Sequence, residues 1–420
     1  MNSAWPYWPV SAANWPDFKE IIVTSGMAKT YKAPGVYVEE IPGLPPSVAQ
    51  VPTAIPIFIG YTEKAGISTD DPLTSVLIND IPVSEAKRIS SLLEYESYFG
   101  KTTSGSLSLY PHLQLFFANG GGPCHIVSVG NALETIAIDN LLAGLAMAER
   151  YDEPSLLVIP QAVLLHTAAE AYTVYRAALL QAAQLKDRFV LIDCYGDDPQ
   201  TLRSADGIGP LHLKYGAAYH PYLKTTLHSA VLPPSAAIAG VYAATDRDRG
   251  VWKAPANVSL NLVSAPSKQI SSRAQDELNV DEVAGKSINV IRTFTGKGVV
   301  VWGARTLAGN NNEWRYISIS RLFIMVEESC KKALNNFVFE PNDANTWTKV
   351  RAMLENYLYD LWQQGALQGA KPEHAFHVSI GLGLSMTALD IQEGRMIVQI
   401  GMSAIRPAEF ILFRISLAVR

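Results

Sequence analysis

The sequence predicts an α/β part followed by an α+β part, with extended arms at both ends. Three observations lead there. Between Ile55 and Asp193 short apolar runs alternate with Ala-rich helical stretches, which implies βαβ units and helices packed on a mixed, largely parallel sheet. After residue 316 two amphipathic helices precede short strands, so two helices are expected on a small sheet. The two ends alternate with period two beside prolines or beside the chain terminus, as extended arms do. The expected division is residues 1–50 as an N-terminal arm, 51–315 as the α/β domain, and 316–420 as the α+β domain ending in a second arm.

From the start, Trp5-Pro6, Trp8-Pro9 and Trp15-Pro16 each hold a tryptophan extended. They read as aromatic anchors for some surface. Val36 and Val38 then alternate with Tyr37 and Glu39, and Ile41 closes the stretch. Prolines 34 and 42 cannot donate to a ladder, which confines this short strand to an edge. A buried strand is expected from Ile55 to Tyr61. Helices are expected from Ile89 to Phe99, closed by Gly100, and from Leu107 to Ala118, closed by Asn119-Gly-Gly-Gly122.

Strands His125 to Val129, Leu156 to Ile159 and Arg188 to Asp193 alternate with helices Ile136 to Arg150 and Thr167 to Leu185. Tyr242 to Asn257 reads as a charged, glycine-punctuated loop. Ile288 to Ile291 and Val299 to Trp302 read as strands. The helix Arg321 to Phe337 sets Leu322, Val326, Cys330, Ala333 and Phe337 near one face. Its successor, Trp347 to Gln364, turns Val350, Leu354, Leu358 and Leu361 inward and stops at Gly365.

Three strands end the chain: His374 to Ile380, Met396 to Met402, and Phe410 to Val419. In the last, Ile411, Phe413, Ile415, Leu417 and Val419 share one side, with Leu412, Arg414, Ser416 and Ala418 on the other. A terminal strand either closes its own sheet or lends its backbone groups to a neighbour's sheet. The alternation alone leaves both open.

Composition narrows the function. A chain of 420 residues, 48% apolar and 17% charged, can bury a large core. The net charge of −5 and the lack of a Lys/Arg block argue against a nucleic-acid partner. No apolar run reaches the roughly 18 residues of a membrane span, and the N-terminus lacks a signal pattern. Cytoplasmic assembly without membrane insertion is the expectation. Cys124, Cys194 and Cys330 sit apart in apolar contexts and read as small buried hydrophobes.

Catalytic patterns are incomplete. Gly285-Lys286-Ser287 ends like a phosphate loop, but Val280 stands where the first glycine belongs. Gly381-Leu-Gly383 lacks a third glycine and reads as a turn. Asp193, Asp197 and Asp198 follow a strand where α/β enzymes place ligands, yet acidic residues also start loops for local hydrogen-bonding reasons. His374 and His377 fall on opposite sides of an extended segment, as do Cys124 and His125. No nucleophile elbow is present. No catalytic, cofactor or metal residue is expected, which leaves an α/β hydrolase as the weaker reading.

At Gly250-Val-Trp-Lys-Ala-Pro-Ala-Asn257, after Thr245-Asp-Arg-Asp-Arg249, the sequence strongly resembles a loop of the sheath proteins of contractile phage tails and related bacterial contractile injection systems. Gly250, Trp252, Lys253 and Pro255 carry that likeness. Pro34-Gly-Val-Tyr-Val-Glu-Glu-Ile41 resembles the family's N-terminal arm, and Phe116-Phe-Ala-Asn-Gly-Gly-Gly122 its helix-ending loop. Gly298-Val-Val-Val-Trp-Gly-Ala-Arg-Thr-Leu307, with Trp302, Gly303 and Arg305, is similar to its strand before the C-terminal domain. Arg406-Pro-Ala-Glu-Phe410 is similar to the lead-in to its final strand. Two features depart from the family: the residues before Met27, and a more apolar Gly381 to Leu389 loop.

The resemblance implies copies stacked as six-fold rings in a helical sleeve around an inner tube, bounded by baseplate and cap proteins and in some particles shared with sheath paralogues. It implies that the arms add strands to neighbouring copies' sheets, which favours lending for Val36 to Ile41 and Phe410 to Val419. It also implies contraction driven by stored conformational free energy, with the middle domain on the outer ridges. The C-terminal domain would then face the tube, with Lys331 and Lys332 as candidate contacts. A non-contracting filament built with the same arms is the alternative.

Overall fold

The computed structural model describes residues 47–64, 75–101, 107–227 and 230–409. The predicted arm strands, Val36 to Ile41 and Phe410 to Val419, and the Trp-Pro pairs lie outside them.

Among the described residues the α/β part is built on a nine-stranded sheet. Its strands are β1 (Pro56–Thr62), β2 (Lys87–Ile89), β3 (Cys124–Asn131), β4 (Leu156–Val158), β5 (Phe189–Asp193), β6 (Gly216–His220), β7 (Val258–Ser259), β8 (Ile288–Phe294) and β9 (Gly298–Trp302). Their order is β7-β9-β8-β6-β5-β4-β1-β3-β2. The central run β3-β1-β4-β5-β6-β8 is parallel, and antiparallel strands close both edges. Parallel strands covered on both faces need unbroken apolar runs, and every residue of β1, β4 and β5 is buried. Each large side chain there, such as Ile57 or Phe58, adds roughly 1.5–3 kcal/mol by leaving water.

Helices α1 (Leu92–Phe99), α2 (Tyr110–Ala118), α3 (Ile138–Ala148), α4 (Ala168–Leu185) and α5 (Ser235–Arg249) belong to this part. Helix α1 begins later than the sequence suggests, because Ser91 caps it by accepting from the Glu94 amide and Lys87–Ile89 pairs with β3 instead. Thr167 and Glu170 form a capping box that starts α4.

The expected loop Tyr242 to Asn257 is half wrong. Tyr242–Arg249 completes α5, and only from Gly250, at φ +88°, does the chain leave the helix. Ala236, Ala237, Ile238, Ala239, Val241 and Tyr242 are all buried, so the helix has no polar face over this run and gives no amphipathic signal. Gly240 is required there: a Cβ would overlap the Phe116 carbonyl oxygen of α2.

The α+β part carries α6 (Ile317–Leu334) and α7 (Ala344–Gln363). Phe337 follows α6 in a short 3-10 turn, and Gly365 ends α7 at φ +78°. Leu322, Val326, Cys330, Val350, Leu354, Leu358 and Leu361 form a second apolar core. The expected strand from His374 shortens to β10 (Phe376–Ser379), because Pro372 opens a helical turn at Pro372–Ala375. The next strand shortens to β11 (Gln399–Met402). All three cysteines are buried and unbridged.

His112 of α2 is buried in the first core, and burial lowers its pKa to about 4. A depressed histidine contributes stability above its ordinary value near 6.5, and that stability is lost as pH falls toward 4. The loss should reach roughly 2–3 kcal/mol by pH 4.5. Urea unfolding at pH 7 and 4.5 checks this: His112→Leu should show a smaller drop between the two than the unsubstituted chain.

Candidate assembly site

The small sheet of the second part has two strands among the described residues, β10 and β11, paired antiparallel with Val378 opposite Ile400 and His377 opposite Gly401. Val378 faces the second core and rests on α7. The Phe376 amide closes the preceding turn by donating to the Pro372 carbonyl. Beyond that bond, the described residues give neither strand a backbone partner other than its mate. A two-stranded sheet is at best marginal in water, and its edges are templates for further strands. A groove of about 640 Å³ runs beside it, lined by Phe376, His377, Gly401 and Met402 of the strands and by Ile319 and Phe323 of α6.

The segment that leads in from the N-terminal arm is tied to both parts. The Val51 amide donates to Ser329 Oγ at 3.0 Å, and Thr53 Oγ1 donates to Asp246 Oδ2 at 2.5 Å. Arg321 holds Asp246 through two nitrogens, at 2.9 and 2.6 Å, and donates to the Thr53 carbonyl at 2.8 Å. Its guanidinium also lies 4.5 Å from the Tyr242 ring centre. Helices α5 and α6 are thereby joined across the boundary between the two cores by a buried, bidentate ion pair.

Of the predicted motif residues, Gly250 to Pro255 directly follow the helix that carries Asp246, while Trp302 ends β9, Gly303 and Arg305 follow it, and the candidate contacts Lys331 and Lys332 lie on α6. Gly250 ends α5 with the Trp252 ring against it, so Val251 and Trp252 pack on the second core. The Lys253 amide turns back to the Gly250 carbonyl, and Pro255 is buried. Trp302 is exposed and tilts against Phe294 at 4.5 Å between ring centres. Gly303 abuts Asn289, and Arg305 is buried beside Glu409. Lys331 and Lys332 project from the last turn of α6 and both pair with Glu328 at 3.2 Å. The predicted arm residues lie outside the described residues. Asp246 and Glu409 were missed as partners: both stand inside the motif segments, but no local pattern connects Asp246 with Arg321 or Glu409 with Arg305.

The place where an α/β enzyme would bind its ligand is filled. Connections leave β1 and β4 in opposite directions, and the crevice at such a switch point is the usual ligand site. Here Gln161 occupies it. Its Oε1 accepts from the Tyr61 amide at 2.6 Å, its Nε2 donates to the Leu107 carbonyl at 2.5 Å, and Leu109 seals the rest. The carboxylates at and after the end of β5 are engaged within the fold, by backbone amides and by neighbouring side chains, with His220 Nδ1 3.2 Å from Asp197. Asp193 accepts from the Ser235 amide and hydroxyl at the start of α5. Burial raises its pKa to about 7 against the opposing effect of those bonds. Asp197 holds the Tyr222 amide and Ser267, and Asp198 caps the following short helix. Lys286 is buried, with its carbonyl accepting from Arg203. Among the described residues no cluster of three or more His, Cys, Asp or Glu could hold a metal, and no helix is long and apolar enough to cross a membrane.

The crevice is filled and the small sheet has two strands among the described residues; comparison with known proteins supplies the family. Residues 136–307 match the family described as phage tail sheath protein central domain, and residues 310–418 match the phage tail sheath C-terminal domain. A chain in the anti-feeding prophage baseplate is 38% identical with a TM-score of 0.72, over 93% of this chain and 100% of that one. A chain of the sheath complex of an extracellular contractile injection system, in its contracted state, is 34% identical with a TM-score of 0.72, over 93% and 99%. The tail sheath protein of Salmonella phage ViI is 27% identical over 140 residues, which span 33% of this chain and only 22% of that protein. The chain belongs to the phage tail sheath family and is a structural subunit of a contractile sheath.

Proposed function

We propose that this chain polymerises as a six-fold helical sleeve around an inner tube and shortens to drive the tube through a target envelope. Subunits are linked by lent strands: Val36 to Ile41 and Phe410 to Val419 of other copies add to the edges of β10 and β11. The observation that carries this reading is the two-stranded sheet itself, too small to stand alone among the described residues, in a chain whose residues 410–419 have strand periodicity. Ladder bonds tolerate rigid-body rotation of the bodies they join when short flanking segments absorb the change in backbone angle.

In this account residues 51–315 form the outer body and 316–420 the inner one, with Lys331 and Lys332 toward the tube. The filled switch-point crevice supports a role without catalysis, and contraction draws on the difference in free energy between two packings of the same subunits. Baseplate and cap proteins bound the sleeve, and sheath paralogues share it in some particles. Assembly is cytoplasmic, into a phage tail or a released tail-like particle.

Negative-stain microscopy of the purified protein tests the reading: hollow striated sleeves are expected, whereas thin fibres would favour a non-contracting filament and dispersed monomers would contradict both. The register makes a finer prediction. Ile415→Arg should block assembly while Ser416→Lys should be tolerated, because only the first faces the core of the recipient sheet. Equal effects in a sedimentation assay would refute that register.

A further inference from the structure

We infer that Glu409 is the fixed anchor of the C-terminal arm, and that Arg305, with Asn279 and Tyr316, is the seat that sets the direction in which residues 410–420 leave the body. The inference rests on the strand-lending reading and adds where the arm is held and which body it is attached to.

Both carboxylate oxygens of Glu409 are fully engaged. Arg305 Nε donates to Oε1 at 2.8 Å and Nη2 to Oε2 at 2.7 Å, while Asn279 Nδ2 reaches Oε1 at 2.8 Å and the Tyr316 hydroxyl reaches Oε2 at 3.2 Å. A forked guanidinium pairing of this kind fixes a carboxylate in plane as well as in place, which an ammonium cannot do. The seat is itself immobilised. The Asn289 side chain in β8 accepts from the Arg305 amide at 2.8 Å and donates to its carbonyl at 2.7 Å. Arg305 Nη1 also donates to the Asn279 and Gly309 carbonyls.

The path of the chain gives this seat a purpose. After β11 the backbone still belongs to the second body: the Ser403 amide donates to the Ala375 carbonyl and the Ile405 amide to the Ala366 carbonyl. By Glu409 it has crossed to the nine-stranded sheet, on residues that follow β9 and pack on β8. An arm that engages a neighbour therefore pulls on the large sheet of the α/β body, and not on the small sheet that precedes it. Stability alone does not explain the device, because a buried ion pair is seldom more stabilising than well-packed apolar residues. Its distinctive contribution is orientation. Burial opposes the Glu409 charge, but the bonds from Arg305 and Asn279 and the guanidinium charge outweigh it and hold the carboxyl below the usual range, so the seat holds the ionised form at neutral pH.

The test uses the full chain with Glu409→Gln, Glu409→Asp and Tyr316→Phe, beside a truncation that ends at Glu409. Glu409→Gln should keep a cooperative thermal transition and yet need at least tenfold more protein to form sleeves, whose rise and twist should scatter in image reconstructions. Glu409→Asp keeps the charge one methylene short and should fall between; Tyr316→Phe removes one bond and should shift the threshold less than threefold. Wild-type threshold, rise and twist for Glu409→Gln, with the truncation inactive, would overturn the anchor and leave strand lending standing. Sleeves from the truncated chain would instead overturn strand lending. Loss of the thermal transition in Glu409→Gln would make the pair a strut of the fold and also refute the inference.

Discussion

Ending the chain at Glu409 is expected to abolish sleeve formation while leaving a monomer that melts cooperatively. Among the described residues, the apolar side chains of both cores all precede Glu409, and on this account they are the fold's main source of stability. What is lost is the ladder that the segment from Phe410 to Val419 would make on another copy. Roughly five backbone bonds at about 1 kcal/mol each correspond to a factor of more than a thousand in association. Circular dichroism and sedimentation of the truncated chain check both halves. A truncated chain that lost its own fold would show that the strand belongs to its own body.

Arg321→Ala is expected to have the largest effect on the subunit itself. It leaves the Asp246 carboxylate, whose side chain is 7% exposed, with only Thr53 to answer its charge. Breaking one partner of a buried pair typically costs about 3–5 kcal/mol. For a chain of this size that lowers Tm by about 3–6 °C. Because α5 lies in the first core and Leu322, Met325 and Val326 of α6 in the second, the two cores should also come apart more easily, visible as a broader transition. Asp246→Ala together with Arg321→Ala should cost less than the sum of the single changes, since neither charge is then left alone.

The sequence makes the sheet legible because parallel strands need unbroken apolar runs, and Ile55 to Tyr61, Leu156 to Ile159 and Arg188 to Asp193 supply them within a residue or two of the observed bounds. The inward residues of α7 were equally readable, since Val350, Leu354, Leu358 and Leu361 keep helical spacing against one core. Helix α5 was not. It is buried on all sides by small residues and ends in the charged stretch Asp246–Arg249, so it imitates a loop. The ion pairs of Arg321 with Asp246 and Arg305 with Glu409 join residues 75 and 104 positions apart, beyond any periodic signal. The motif segments marked both neighbourhoods, because Thr245–Asn257 and Arg406–Phe410 each contain one partner. Chemistry shows why those stretches matter: one joins the two cores, and the other ends where the arm begins.

The most direct measurement is a reconstruction of the assembled sleeve at a resolution that traces main chain around β10 and β11. The account requires strands from other copies on the edges of that sheet, with the chain of each subunit leaving its own body immediately after Glu409. Edges left bare, or filled by the same subunit's own terminal segment, would contradict it.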